Sequence, residues 1–151
     1  MMAGMPPRSF SFEVTRTSTA SPDRLFRLET DGARWSEWAK PLIVQSGWAR
    51  WADQPGGVGA IRRVGLFPVL MYEETLEYEP GKRHVYTFAR SAPVDDYRGE
   101  VTFTPTPNGT ELRWRGTFKE KVPGTGPLVL ALLRTAIVFL SARLVRAAER
   151  D

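Results

Sequence analysis

His84 is the only histidine in the chain, so any imidazole acid or base must be this one. There is no cysteine, which removes thiolate nucleophiles, disulfides and Cys-type zinc sites together. No serine sits in a Gly-x-Ser-x-Gly setting, and a second histidine to activate one is lacking. Gly56-Gly57-Val58-Gly59 lacks the Gly-Lys-Ser/Thr of a phosphate loop and reads as a turn into a strand. Asp95-Asp96 has no histidine nearby and reads as turn chemistry, so neither a metal nor a cofactor is expected.

What remains is carboxylate and cation. Glu74 shares an alternating face with Tyr72 and Leu76. Turned into an apolar cavity, its carboxyl must find a partner or rise in pKa, the condition a general acid needs. Arg62 or Arg63 supplies that partner, since one of the two faces inward in a regular strand. The competing reading is a buried or rim ion pair that orders the sheet. For His84 the hairpin register decides. With Pro80-Gly81 at the centre of a type II turn, Glu77 pairs with His84, Leu76 with Val85 and Glu74 with Thr87, which turns His84 toward solvent. A slip of one residue sends His84, Tyr86 and Phe88 inward instead. The catalytic candidates are therefore Glu74, Arg62 and His84.

The aromatic residues point to a ligand. Trp38, Trp48, Trp51, Tyr72, Tyr86, Tyr97 and Trp114 can line an elongated apolar pocket with a few hydroxyl and indole donors, or can serve as core. Val129, Leu133 and Ile137 form the facing wall. They belong to a stripe, continued by Leu140, Leu144 and Ala147, on a helix predicted over 126–150 with Pro127 in its first turn. Leu128, Leu132, Val138 and Phe139 lie on the other side of this helix. A homodimer or a covering loop is expected over them. Residues 128–145 are strongly apolar, but Arg134, Ser141 and Arg143 interrupt them, so no integral membrane span is expected.

The helix needs a sheet to pack on. Phe10, Phe12 and Val14 alternate with polar residues as a first strand, and Ser21-Pro22-Asp23 opens a short helix carrying Leu25, Phe26 and Leu28. A second short helical turn spans Asp31 to Trp38, ended by Pro41. Strands follow at about 43–51, 58–65, 69–79, 82–90, 96–105 and 110–118, separated by Pro/Gly/Asn turns short enough to make neighbours antiparallel. In the last two, Tyr97, Gly99, Val101 and Phe103, and Leu112, Trp114 and Phe118, face the helix.

At 151 residues this is one domain over 9–151 behind a disordered lead, 1–8. The N-terminus has no apolar core of signal-peptide length, which with the absence of cysteine points to the cytoplasm. The net charge is +4 and the pI about 9.8. Only Lys40, Lys82, Lys119 and Lys121 are lysine, and the arginines are scattered, so no stripe forms for a phosphate backbone and nucleic acid is not an expected partner.

From Phe10 to Glu149 the chain resembles the helix-grip proteins of the START-like, or SRPBCC, superfamily, and within it the polyketide cyclase/dehydrase and lipid-transport family. The resemblance rests on an ordered series: Ser21-Pro22-Asp23 with Leu25-Phe26, then Trp35 and Trp38 before Pro41, and Gly59-Ala60-Ile61-Arg62. Glu74 ahead of Glu79-Pro80-Gly81-Lys82-Arg83, Tyr97-Arg98-Gly99-Glu100-Val101 with Pro105, and Asn108-Gly109-Thr110-Glu111-Leu112-Arg113-Trp114 complete it. It implies an α+β helix-grip fold, with a curved antiparallel sheet of about seven strands around a long C-terminal helix and two short helices after strand 1. It also implies a hydrophobic small-molecule ligand between sheet and helix. A cyclase, aromatase or dehydratase on a polyketide-like substrate, or a protein-interaction or stress-regulatory module, are the other functions expected of such a scaffold. The pocket entrance is expected near the start of the long helix and the loops around Trp38 and Gly65 to Pro68.

Overall fold

The computed structural model describes residues 8–66, 69–90 and 92–150. Seven strands form one antiparallel sheet: β1 (Ser9–Ser18), β2 (Gln45–Arg50), β3 (Ile61–Leu66), β4 (Val69–Glu79), β5 (Arg83–Phe88), β6 (Val94–Thr106) and β7 (Gly109–Glu120). Their order is β1-β7-β6-β5-β4-β3-β2. Strands β2 to β7 are the expected meander, and β1 closes against β7. Of the expected turns and entrance loop, Phe67, Pro68 and Ser91 lie outside the described residues, as do 1–7 of the N-terminal lead. Arg8, placed in that lead, is instead tied to Glu120 by a 3.0 Å ion pair.

This order has a topological consequence. The chain leaves β1 at one edge of the sheet and must enter β2 at the other, so residues 19–44 span the sheet's width. They do so as α1 (Pro22–Thr30), a single 3-10 turn (Gly32–Arg34) and α2 (Trp35–Trp38). Ser21 caps α1 as its position predicts, its hydroxyl accepting from Arg24 N at 3.2 Å, with Pro22 in the first turn. The crossing brings the end of α1 and both tryptophans over the concave face.

Helix α3 (Gly126–Glu149) runs alongside β1 in the same direction: Gly126 meets the Phe10 ring, and Ser18 Oγ donates to Glu149 Oε2 at 2.9 Å. Its start is capped from outside the helix. The Glu120 carboxylate accepts from Gly124 N at 3.0 Å and Gly126 N at 2.8 Å, while Thr125 makes no side-chain cap. At the far end Arg24 Nε donates to Ala148 O at 2.7 Å, satisfying a terminal carbonyl.

Burial along α3 is uneven. Ile137, Leu140, Ser141, Leu144 and Ala148 are buried, whereas Val129 and Leu133, on the same predicted stripe, are only half-buried. On the outer side Leu128 and Leu132 are 64% and 62% exposed. Val138 and Phe139, also assigned to that side, pack in part against the core. Of the described helices α3 alone is long and apolar enough to cross a membrane by length and composition, with mean hydropathy 2.1; in the fold it packs on β1, β7, α1 and α2.

Candidate functional site

The β4–β5 hairpin fixes which side chains enter the concave face. Lys82 N donates to Glu79 O at 2.9 Å around Pro80-Gly81, as predicted, but Glu79 pairs with Arg83, so three residues form the loop instead of two. Tyr78 then opposes His84 and Glu77 opposes Val85, one step from the expected register. A bulge between Thr75 and Glu77 absorbs the step, and beyond it Glu74 opposes Thr87 as predicted. The solvent-facing placement of His84 is thereby corrected: it points inward and is 1% exposed.

Glu74, Tyr72 and Leu76 do share a face, but it is the convex one. Glu74 pairs with Arg50 at 3.1 Å on the surface, and Tyr72 lies under the Arg90 guanidinium at 4.0 Å. Neither reaches the concave side, so the inward carboxylate of β4 is the neighbour, Glu73. Arg62 is the inward arginine of β3 and binds Glu73 through Nε–Oε1 at 2.8 Å; Arg63 is exposed.

Around Arg62 a buried polar cluster assembles from four elements. Its Nη1 donates to Glu29 O at 2.6 Å and to Glu29 Oε2 at 3.1 Å, from the last turn of α1. The same carboxylate receives His84 Nδ1 at 2.8 and 2.9 Å, and His84 Nε2 lies 3.0 Å from Thr75 Oγ1, which donates to Gly56 O at 2.9 Å. Burial would raise the Glu29 pKa, yet the contacts with His84 and then Arg62 outweigh it and hold the carboxyl below its ordinary value. The Arg62 guanidinium lies over the rings of Trp35 at 4.2 Å and Tyr86 at 4.9 Å. A Cβ on Gly32 would sit 2.4 Å from Arg62 Cβ, so the 3-10 turn presses directly on this side chain.

Beside the cluster, Trp114 Nε1 donates to Tyr86 OH at 2.9 Å, and Tyr86 OH lies 3.3 Å from Tyr97 OH. Burial raises the pKa of both phenols, so each stays protonated and serves as a hydrogen-bonding group, not a base. Two donors have no partner among the described residues: Arg62 Nη2 and Trp38 Nε1.

Of the residues expected to line a pocket, Trp38, Tyr86, Tyr97, Trp114 and Ile137 converge on the concave face and are buried. Trp48 opposes Arg62 on edge strand β2, half-buried against Trp51. Trp114 is wholly enclosed at 0% exposure, so it is core and not an open wall. The apolar surface left partly open on this side belongs to Met71, Phe88, Val129, Leu130 and Leu133. The surface hollows lie elsewhere: one of about 390 Å³ between α1 and the loop before β3, lined by Arg24, Arg27, Leu28, Asp31, Pro55 and Tyr78, and one of about 500 Å³ between β1 and the second half of α3, lined by Thr15, Arg16, Val145, Arg146 and Glu149. Among the described residues no group of three or more His, Asp or Glu side chains is placed to hold a metal ion.

Glu29, Glu73 and Thr75 were not singled out by sequence reasoning. Glu29 did carry a signal: it continues the stripe of Leu25 and Phe26 by helical spacing, a charged residue at a core-facing position. The inward turn of Glu73 and Thr75 depends on the hairpin's three-residue loop and bulge, for which the sequence offers no local mark.

A sheet gripping a C-terminal helix, with two short helices crossing from edge to edge, is the helix-grip fold of the START-like proteins. The family described as polyketide cyclase / dehydrase and lipid transport matches residues 9–149, and the chain belongs to it. The crystal structure of Ara h 8.0201 is similar with a TM-score of 0.74 at 15% identity, covering 95% of this chain and 100% of that one. Protein MLL2253 from Mesorhizobium loti is similar with a TM-score of 0.72 at 22% identity, covering 94% and 98%. The di-domain ARO/CYC StfQ from the steffimycin biosynthetic pathway gives 0.73 at 18% identity, covering 93% of this chain and 49% of that one. At these identities the likeness is one of fold. A comparison with curated proteins found no match.

Proposed function

We propose that this protein is a cytoplasmic carrier or receptor that holds a hydrophobic or amphipathic small molecule, lipid- or polyketide-like, between the concave sheet and the first half of α3. The observation that carries this reading is the uneven burial of α3. Its stripe is buried at Ile137, Leu140 and Leu144, while Val129, Leu130 and Leu133, nearer its start, are only partly covered. An apolar guest there removes surface from water at roughly 25 cal/mol per Å², and the polar groups beneath orient one end of it. Leu133→Glu is expected to weaken uptake of an apolar fluorescent probe at least about tenfold, since it places a charge on the guest's surface. Leu128→Glu, on the exposed side, leaves uptake unchanged. Equal uptake by both variants contradicts the site.

A second reading, a cyclase, aromatase or dehydratase on a polyketide-like substrate, is favoured by one observation. Glu73 is an inward carboxylate, its side chain 11% exposed, held by Arg62. Such an enzyme needs positioning and one acid or base, and Glu73 takes the part that sequence reasoning gave to Glu74. Glu73→Gln separates the two: a carrier retains binding, and an enzyme retains binding and loses turnover.

A further inference from the structure

Buried donors are almost always paired, and two unpaired ones beside the same ring ask for an acceptor. Arg62 Nη2 and Trp38 Nε1 are such a pair. The guanidinium lies 4.2 Å above Trp35, and the Trp38 and Trp35 ring centroids are 5.0 Å apart, so both side chains pack on Trp35. The two residues are 2% and 5% exposed. Trp38 belongs to α2, which touches α3, the element whose first half is least held.

Charge limits what the acceptor can be. Arg62 already faces the carboxylates of Glu29 and Glu73, and His84 is the only other titratable group bonded to Glu29 besides Arg62. Whichever protonation state His84 holds, no positive charge is left over. A third carboxylate at this guanidinium has nothing to neutralise it, and a buried charge without compensation is costly. A neutral oxygen meets no such penalty and still satisfies the open N–H groups.

Resting on the ligand-binding reading above, we propose that the open donors Arg62 Nη2 and Trp38 Nε1 are met by neutral carbonyl oxygen, of a ketone, ester or amide, at the buried end of an otherwise apolar, planar ligand. The ligand passes under the first half of α3 to reach them. Carboxylate-ended molecules such as free fatty acids are disfavoured by Glu29 and Glu73.

Three probes on one ring system test this by calorimetry: 2-acetylnaphthalene, 2-ethylnaphthalene and 2-naphthoate. The ketone is expected to bind the wild-type protein on the order of tenfold tighter than the hydrocarbon, the carboxylate most weakly of the three. Trp38→Phe removes an indole N–H that bonds nothing else, and should shrink the ketone's advantage severalfold while leaving the hydrocarbon's affinity in place. Arg62→Lys, which keeps the charge between the two carboxylates, should do the same. Should Arg62→Lys not fold, Trp38→Phe alone decides. Equal affinity for ketone and hydrocarbon, tighter binding of the naphthoate, or an unchanged ratio in Trp38→Phe overturns the carbonyl assignment and leaves the pocket standing, the donors then being served by buried water. Failure of all three probes to bind removes the pocket itself.

Discussion

Glu29 ties the centre of the molecule together, because both Arg62 and His84 bond its buried carboxylate. Glu29→Gln keeps the shape and removes the charge, stranding Arg62 with one carboxylate and His84 with an amide. Breaking a buried pair in this way costs roughly 3–5 kcal/mol, to be read as a fall in the urea midpoint with an unchanged slope. The same group sets an acid limit. Its folded pKa lies below the ordinary Glu value of 4.5, so at pH above that value its contribution is complete. As pH falls from there through the folded-state pKa, the unfolded chain takes up the proton first and stability is lost. Midpoints measured from neutral pH down to acid should therefore decline more steeply in the wild-type protein than in Glu29→Gln, and parallel declines would contradict the pairing. At this level the sequence was half legible: the sole histidine and an inward arginine stood out, while Glu29 showed only in its helical spacing from Leu25 and Phe26.

Strands β6 and β7 show how a sheet makes room for aromatic side chains. Gly99 opposes Gly116, and rings lie on both: a Cβ on Gly99 would meet Tyr86 Cζ at 2.4 Å, and one on Gly116 would meet Phe12 Cε2 at 2.4 Å. Gly99→Ala must push the Tyr86 ring off its seat and away from Trp114, an overpacking change worth about 1–3 kcal/mol. A thermal midpoint lowered by several degrees is expected; an unchanged one would mean the ring is loosely seated. Elements were well read from sequence where alternation or helical spacing ran uninterrupted, as in β6, β7 and the stripe of α3 from Ile137 to Leu144. The β4–β5 hairpin was misread because a turn with Pro-Gly at its centre closes either a two-residue or a three-residue loop, and the bulge that repairs the register has no glycine to mark it. That single step exchanged Glu73 for Glu74 and turned His84 inward.

Across the whole molecule, the exposed side of α3 is the feature that sheet and helix packing leave unresolved. Leu128 and Leu132, with Val122 ahead of them at 55% exposure, form apolar surface that isolated soluble chains tend to cover. A second copy placed there predicts a wild-type dimer in gel filtration at micromolar concentration and a monomer for Leu132→Glu; a monomeric wild type would leave this face to another use. The same helix carries the central claim, because its inner side at Val129 to Ile137 is where a guest must lie. A two-dimensional ¹H–¹⁵N spectrum titrated with 2-acetylnaphthalene tests this directly. The expected shifts fall on the amides of residues 129–137, Met71 and Phe88 and on the Trp38 indole N–H. Shifts gathered instead around Arg24, Arg27, Pro55 and Tyr78, at the open hollow beside α1, would contradict binding between sheet and helix.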